Sequence, residues 1–326
     1  MKYVFIINPA AGIQNPVEVC GDAIKKACED YGLNYEIVLT ERTGHATELA
    51  AAYADAAVQD APVRIFSVGG DGTLCEVSNG IMGKPFCELG VIPCGSGNDY
   101  VRSFGCKEEF LDIDNYIISG TVGVDGIRTT CDSTELNSLN IASLGFDANV
   151  CSTANELKAK NKKLSGSTAY TRAIAINFFR KLYNDLTVTV DEKVTYLGKY
   201  FFSIAANGQY YGGGINSAPM ADPTDGRMEL ILIRKASRLK FLTLVGDYTH
   251  GTYEKKKKFR KLLTHCQCEK MHVVSKKPAV VNVDGECFPC REVTFEVMPS
   301  AIQLVVPKSY LEKKGSAPAK PEPAMA

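Results

Sequence analysis

The tetrad Gly69-Gly70-Asp71-Gly72, set between the apolar run Val63-Arg64-Ile65-Phe66-Ser67-Val68 and Thr73-Leu74, has the composition of a phosphate-binding turn. Glycines let backbone N–H groups approach phosphate oxygens with no Cβ in the way, and a helix starting at the turn aims its positive end at the anion. Asp71 is the odd member, because a carboxylate beside a polyphosphate is repelled unless a cation stands between them; magnesium is the hard, oxygen-liganded cation that suits the place. A structural strand-to-helix turn with an N-capping Asp has the same composition, so the tetrad alone does not decide. Two further stretches repeat the pattern. Val4-Phe5-Ile6-Ile7 runs into Asn8-Pro9-Ala10-Ala11-Gly12, a polar turn of small residues against which a nucleotide can lie close. Gly90-Val91-Ile92-Pro93 leads to Gly95-Ser96-Gly97-Asn98-Asp99, which adds a hydroxyl for a phosphate oxygen and a carboxylate for a metal-bound water.

The elements that must position these turns are legible in the same periodicities. Strands are predicted at 3–7, Tyr35 to Leu39, 63–68 and 89–92, with helices at Val17 to Tyr31, Ala46 to Asp60, Thr73 to Met82 and Asp99 to Phe104. Their alternation over residues 1–125 predicts a doubly wound α/β domain, in which the carboxyl ends of the strands form one ligand-binding edge. From 126 to 299 the character changes. Runs such as 139–142, Leu186 to Val190, Tyr200 to Ala205, Met228 to Ile233, Ala279 to Val283 and Thr294 to Val297 read as antiparallel strands of a β-rich, sandwich-like substrate domain. Helices interrupt them chiefly at Ser167 to Leu182 and Leu239 to Tyr248. Lys313 to Ala326, rich in Lys, Pro, Ala and Gly, reads as a disordered tail.

Phosphoryl transfer to an alcohol needs an in-line phosphoryl group, a cation to offset its charge, and a base for the hydroxyl proton. In Val280-Val281-Asn282-Val283-Asp284-Gly285-Glu286-Cys287-Phe288 an Asp-Gly turn signal lies between apolar runs, so Asp284 and Glu286 should share a hairpin tip. Asp-Gly hairpins are mostly just turns, and the sequence leaves both readings open. Asp222-Pro223-Thr224-Asp225-Gly226-Arg227 is likewise either a hard-cation loop or an ordinary turn. Thr40, ending the strand from Tyr35, is placed to offer its hydroxyl to a nucleotide, while Thr43 or Thr47 competes for the role of capping the next helix. The four histidines, 45, 250, 265 and 272, show neither hydrolase nor metal-ligand spacing and are read as structural or exposed.

The ordered set Asn8-Pro9 with Gly12, Gly69-Gly70-Asp71-Gly72-Thr73, and Pro93 with Gly95-Ser96-Gly97-Asn98-Asp99 resembles the signature of the diacylglycerol kinase catalytic-domain superfamily, in particular its soluble bacterial lipid kinases. The resemblance continues through Asn140-Ile141-Ala142, Gly145-Phe146-Asp147, Ala206-Asn207-Gly208, Gly212-Gly213-Gly214, Pro219, Asp225-Gly226 and Asp284-Gly285-Glu286, covering residues 1 to 307. It implies an ATP-dependent kinase of diacylglycerol or a related lipid alcohol. Glu286 would be the proton acceptor, Asp284 the residue that orients it, and Asp71 would belong to the catalytic centre. The resemblance also implies that Asp225, with backbone carbonyls at 222 and 227, holds a structural magnesium. Asp71 and Asp99 would connect to it through water, and a last strand from Ile302 to Val306 would return within 300–312 to the first domain. Arg227 stands where relatives commonly carry an apolar residue. Relatives are often dimers, so a homodimer is a possible partner arrangement.

Composition agrees without selecting. The 37 basic and 37 acidic residues give no net charge, which argues against bulk nucleic-acid binding. No apolar run approaches the ~20 residues that span a bilayer, and no signal-peptide pattern opens the chain, so a cytoplasmic enzyme that visits the membrane surface is expected. The 12 cysteines are expected to be reduced and mostly buried, with a zinc site from Cys266, Cys268, Cys287 and Cys290 disfavoured by spacing. Between Arg234 and Lys261 there are 10 basic and 2 acidic residues, including Lys255 to Lys258; the run is either a solvated face or an attraction to anionic lipid. Two other functions compete: a kinase of a soluble alcohol, since NAD kinases and phosphofructokinases share the Gly-Gly-Asp-Gly turn, and a non-catalytic nucleotide or lipid sensor. The former relatives lack the later Gly-x-Gly-Asn-Asp.

Overall fold

The computed structural model describes residues 1–132, 134–161, 164, 166–180 and 182–316. In chain order the elements are β1 (Lys2–Ile7), α1 (Pro16–Asp30), β2 (Tyr35–Leu39), α2 (His45–Ala56), β3 (Val63–Gly69), α3 (Asp71–Ile81), β4 (Cys87–Pro93), the short helices α4 (Lys107–Leu111) and α5 (Ile113–Tyr116), β5 (Thr121–Cys131), β6 (Thr134–Ser138) and β7 (Ile141–Gly145). They continue with α6 (Phe146–Lys160), α7 (Gly166–Phe178), β8 (Asn184–Val190), β9 (Val194–Ala206), β10 (Tyr210–Tyr211), β11 (Ile215–Asn216), β12 (Met228–Arg234), α8 (Arg238–Thr249), β13 (Leu263–Cys268), β14 (Lys270–Val283), β15 (Glu286–Val305) and α9 (Lys308–Ser316).

Every residue of β3 is buried, the mark of a central parallel strand covered on both faces. Parallel strands run β2-β1-β3-β4, and the end of β15 adds to β4 in parallel, Gln303 opposite Glu88 and Leu304 opposite Leu89. Strand order reverses between β1 and β3, so a crevice opens above their carboxyl ends, where the glycine turns lie. α1 begins as its sequence dictates, with Asn15 Oδ1 accepting the Val17 N–H and Pro16 in the first turn. The segment from Asp99 to Phe104, predicted as a helix, is a single 3-10 turn over Tyr100–Ser103.

The doubly wound layer followed by a β-rich part is the architecture the sequence predicts, with one addition. β7 and β8 each bridge β9 and β14, closing a sandwich around Leu144, Val188, Tyr200, Leu230, Met271 and Phe295. On the other face of β9 and β12 lies a helical layer of α6, α7 and α8, packed through Phe146, Phe202, Phe241 and Tyr248. α6 is absent from the sequence prediction. Its buried face mixes Phe146, Ala148, Val150 and Ala154 with the polar Asp147 and Thr153, which blurs the apolar helical period.

β5 and β15 pair along both halves of the molecule. Gly126 lies opposite Met298 and Val124 opposite Ile302, with a bulge between. At the bulge Ser300 adopts φ +49° and gives its N–H to Asp125 Oδ1 at 2.8 Å. The first core ends at Val124 and Ile302 and the second begins at Ile127 and Val297. Residues 125 and 300, where the sequence analysis divides the chain, thus lie within continuous strands.

Two expectations are corrected. Lys313 to Ser316, placed in a disordered tail, belong to α9, which docks through the Tyr310 ring, 5.3 Å from that of Phe104, and through Leu311 on the first core. Residues 317–326 of that tail lie outside the described residues. Cys131 and Cys290, expected as thiols, are joined by a disulfide because adjacent strands bring them face to face. That also removes Cys290 from a four-thiolate site, while Cys266 and Cys268 pack in or against the sandwich core.

Arg64, on central β3, is buried and pairs with Glu88 at 2.6 Å while donating to the carbonyls of Ile117 and Ser119. Arg64→Ala leaves Glu88 unpaired among apolar strands and should cost about 3–5 kcal/mol in urea unfolding, much of it recovered in Arg64→Leu/Glu88→Leu; a loss below about 1 kcal/mol in the single variant would contradict this reading. His265 is gripped by Glu229 and Glu254, one on each ring nitrogen. The Glu229 hydrogen bond leads in raising its pKa above the ordinary 6.5, against its burial. A raised His pKa stabilises fully below the unfolded value and is lost as pH rises through the folded one. The stability gap between wild type and His265→Leu should therefore be wide at acidic pH and shrink on alkalinisation; a pH-independent gap would show that the pair carries no linkage.

Candidate active site

The turns after β1, β3 and β4 meet because their backbones touch. Asn8 gives its side-chain N–H to Thr73 Oγ1 at 3.1 Å and its Oδ1 accepts from Ala10, which ties the Asn8-Pro9-Ala10-Ala11-Gly12 turn to the start of α3. The N–H groups of Cys94 and Gly95 both donate to the Gly69 carbonyl. A Cβ on Gly95 would stand 2.3 Å from the Gly70 Cα, so the approach of the two loops requires glycine there. Ser96, Gly72 and Ala10 face solvent at the rim; Thr73 is buried beneath it. Thr40 sits at the same edge, its N–H on the Ile7 carbonyl.

Asp71 opens α3, and its carboxylate is held by the next loop: Oδ2 accepts the Asn98 N–H and Oδ1 the Asp99 N–H, each at 2.7 Å. Asn98 reaches this geometry at φ +52°, with its side chain bonded to both N–H and carbonyl of Gly95. A Cβ at Gly97 would lie 2.6 Å from Asp71 Oδ2. Asp99 is buried, and its Oδ2 accepts from Gly213 at 2.7 Å, a donor supplied by the second half of the chain. Burial, then the charge of Asp71, push the Asp99 carboxyl up to about 6. Its Oδ1 has no hydrogen bond and faces Arg102 Nε at 3.5 Å. Two neighbouring carboxylates with an unbonded oxygen between protein donors fit a hard divalent cation.

The hairpin tip of β14 and β15 forms the opposite wall. Asp284, at φ +45°, accepts from the N–H groups of Leu139, Asn140 and Ile141 at 2.8–3.2 Å. Burial outweighs these donors and, with the charge of Asp71 adding a small part, pushes its carboxyl up to about 6. Its oxygens accept from the backbone of 139–141, so Asp284 anchors the hairpin that carries Glu286. Glu286 itself is exposed. The charges of Asp284 and Glu286 both reach Cys75, one turn into α3 from Asp71, whose thiol is driven up chiefly by burial. The charge of Asp71 reaches both Asp99 and Asp284, and the charges of Asp284 and Glu286 reach Cys75 on α3, so these acids gather about the start of that helix.

Asp222 and Thr224 of the loop 222–227 line a cavity together with Arg102, the residue that faces Asp99. Asp222 Oδ1 accepts from Thr224 and Asp225 Oδ1 from the Arg227 N–H, while Asp225 Oδ2 accepts from Gln267 and the Arg227 side chain turns to Glu269. Among the described residues the single trio of His, Cys, Asp or Glu with ligand atoms gathered is Cys131, Asp132 and Cys290, outside this loop. What joins the loop to the sheet is Asp125, whose Oδ2 accepts from Gly226 at 2.7 Å and whose other oxygen holds the β15 bulge. Sequence reasoning passed over Asp125 and Arg102, and it named Gly213 only within the family resemblance, with no role. A buried acid in an apolar strand was the available signal for Asp125; for Arg102, only its partner in space reveals it.

Residues 2–125 match the diacylglycerol kinase catalytic domain, and residues 140–306 match the YegS C-terminal NAD kinase beta sandwich-like domain. A protein of Shewanella frigidimarina (strain NCIMB 400) named "Probable lipid kinase YegS-like" is 27% identical over 298 residues, 86% of this chain and 91% of its own. The structure of a diacylglycerol kinase from Bacillus anthracis str. Sterne is similar with TM-score 0.65 at 18% identity, covering 95% of this chain and 98% of that one. An NAD kinase from Archaeoglobus fulgidus, solved in complex with ATP, gives TM-score 0.52 at 15% identity over 96% of each chain. At those identities the solved structures speak for the fold, and the matched families cover both halves. The chain belongs to the lipid-kinase-like family in which a diacylglycerol kinase catalytic domain is followed by a YegS-type β-sandwich domain.

Proposed function

We propose that this protein transfers the γ-phosphoryl group of ATP to the hydroxyl of a lipid alcohol of the diacylglycerol type. The observation that carries the reading is the meeting of two walls of different origin. On one side three glycine-bearing turns end parallel strands around the amino end of α3; on the other a hairpin presents an exposed carboxylate, Glu286, with the charge of Asp71 still felt at Asp284.

Asn8, Pro9, Ala10, Ala11, Gly12, Thr40, Gly69, Gly70, Gly72, Thr73, Gly95, Ser96, Gly97 and Asn98 would bind the nucleotide, and Arg102 adds a cation at the loop that holds Asp99. Bound magnesium would offset phosphate charge, with Asp71 and Asp99 as its protein partners. Loop 222–227 is the candidate seat of a structural magnesium beside Asp225. The acceptor oxygen bonds to the γ-phosphorus as the bond to the β,γ-bridging oxygen breaks. The hydroxyl proton passes to Glu286, and ADP leaves with the electron pair. Asp284 fixes the height of the hairpin through the three N–H groups that hold it.

Glu286→Gln should lower turnover by about 10²–10⁴-fold with ATP binding retained; intact turnover would move the protein to the sensor reading. Burial pushes the Asp284 carboxyl up to about 6, so it is ionised above that pH. Turnover should therefore fall as pH drops through about 6, by protonation of the carboxylate that holds the hairpin of Glu286; a profile flat to pH 5 would contradict this assignment.

A further inference from the structure

We propose that the edge formed by the end of α7 and the start of α8 docks the protein onto an anionic bilayer, a deepening of the lipid-kinase reading that rests on it for the reason a bilayer is sought. α8 turns Phe241, Leu244 and Tyr248 into the aromatic layer, yet Leu239 and Leu242 on its other side are 78% and 55% exposed. Just beyond α7, Phe179 is 80% exposed. Arg238 fastens the two segments together, donating to the carbonyls of Phe178 and Arg180 on either side of Phe179. A helix start that is apolar both inward and outward calls for a second apolar environment.

Charge decides which environment. Residues 166–184 contain Arg172, Arg180 and Lys181 and no acid; residues 235–246 contain Lys235, Arg238 and Lys240 and no acid. A second copy of so one-sided a patch would be repelled, whereas apolar residues rimmed by cations match acyl chains beneath anionic headgroups. The lysine run singled out in the sequence is a poorer candidate, because Lys256 and Lys258 are paired with Asp247. The edge is also linked to the reaction site. α6, which packs on α7, donates from Asn155 to the Gly285 carbonyl at the hairpin tip beside Glu286.

The test is sedimentation of the full chain with vesicles of phosphatidylcholine alone and of phosphatidylcholine mixed with phosphatidylglycerol, without nucleotide or acceptor. Wild type should partition onto the anionic vesicles and release as salt rises. Phe179→Ser/Leu239→Ser/Leu242→Ser should lose at least about tenfold of that partitioning, and Arg172→Glu/Arg180→Glu should lose its preference for anionic lipid, with ATP binding unchanged in both as evidence of an intact fold. Wild type that ignores anionic vesicles, a serine variant that binds them equally well, or a serine variant whose sole change is oligomeric state on size exclusion would each overturn the proposal. No phosphorylation is read, so these outcomes leave the kinase reading standing, and a failed transfer assay leaves them standing in turn.

Discussion

The Asp71 carboxylate is the hinge-pin of the site. Although it opens α3, it takes the N–H groups of Asn98 and Asp99 from the neighbouring strand's loop. Asp99 in turn takes the Gly213 N–H from the other half of the chain. One acid thus sets the spacing of two nucleotide-side loops and, through the next acid, the approach of the second core. The cost is two like charges in partly desolvated surroundings, which is why Asp99 titrates near 6 and why a divalent cation fits there.

The proposed transfer from a nucleotide to a lipid alcohol would need two walls that keep their distance while each is built for its own ligand. The fold meets this by running β5 and β15 unbroken through both cores and placing the change of core at a bulge. Asp125 holds that bulge and the 222–227 loop together. Asp284 does the same for the β14–β15 hairpin, which three backbone donors fasten to residues 139–141. The helical layer over the sandwich leaves Phe179, Leu239 and Leu242 exposed.

The parallel half was legible because its strands are buried on both faces and its turns carry glycine, two signals that reinforce each other. Gly69 to Thr73 and Gly95 to Asp99 could therefore be placed at one edge from local pattern alone. The sandwich half was legible only in outline. β14 and β15 read as short runs because exposed Lys276, Lys277 and Glu292 interrupt their apolar stretches, and α6 is obscured because it buries polar Asp147 and Thr153 among its apolar residues. Partnerships between distant residues left no local trace. Nothing near Asp284 says that its acceptors' donors lie at 139–141, and nothing near Cys131 names Cys290. The shared hairpin tip of Asp284 and Glu286 is legible in the Asp-Gly turn signal, while their roles come only with the family resemblance.

The measurement that bears most directly on the account is transfer of labelled γ-phosphate from ATP, with magnesium, to a panel of lipid alcohols in mixed micelles. The account predicts label in an extractable phospholipid, from an acceptor with a free hydroxyl beside acyl or other apolar chains. ATP bound, with label reaching only a water-soluble alcohol or no acceptor at all, would contradict it.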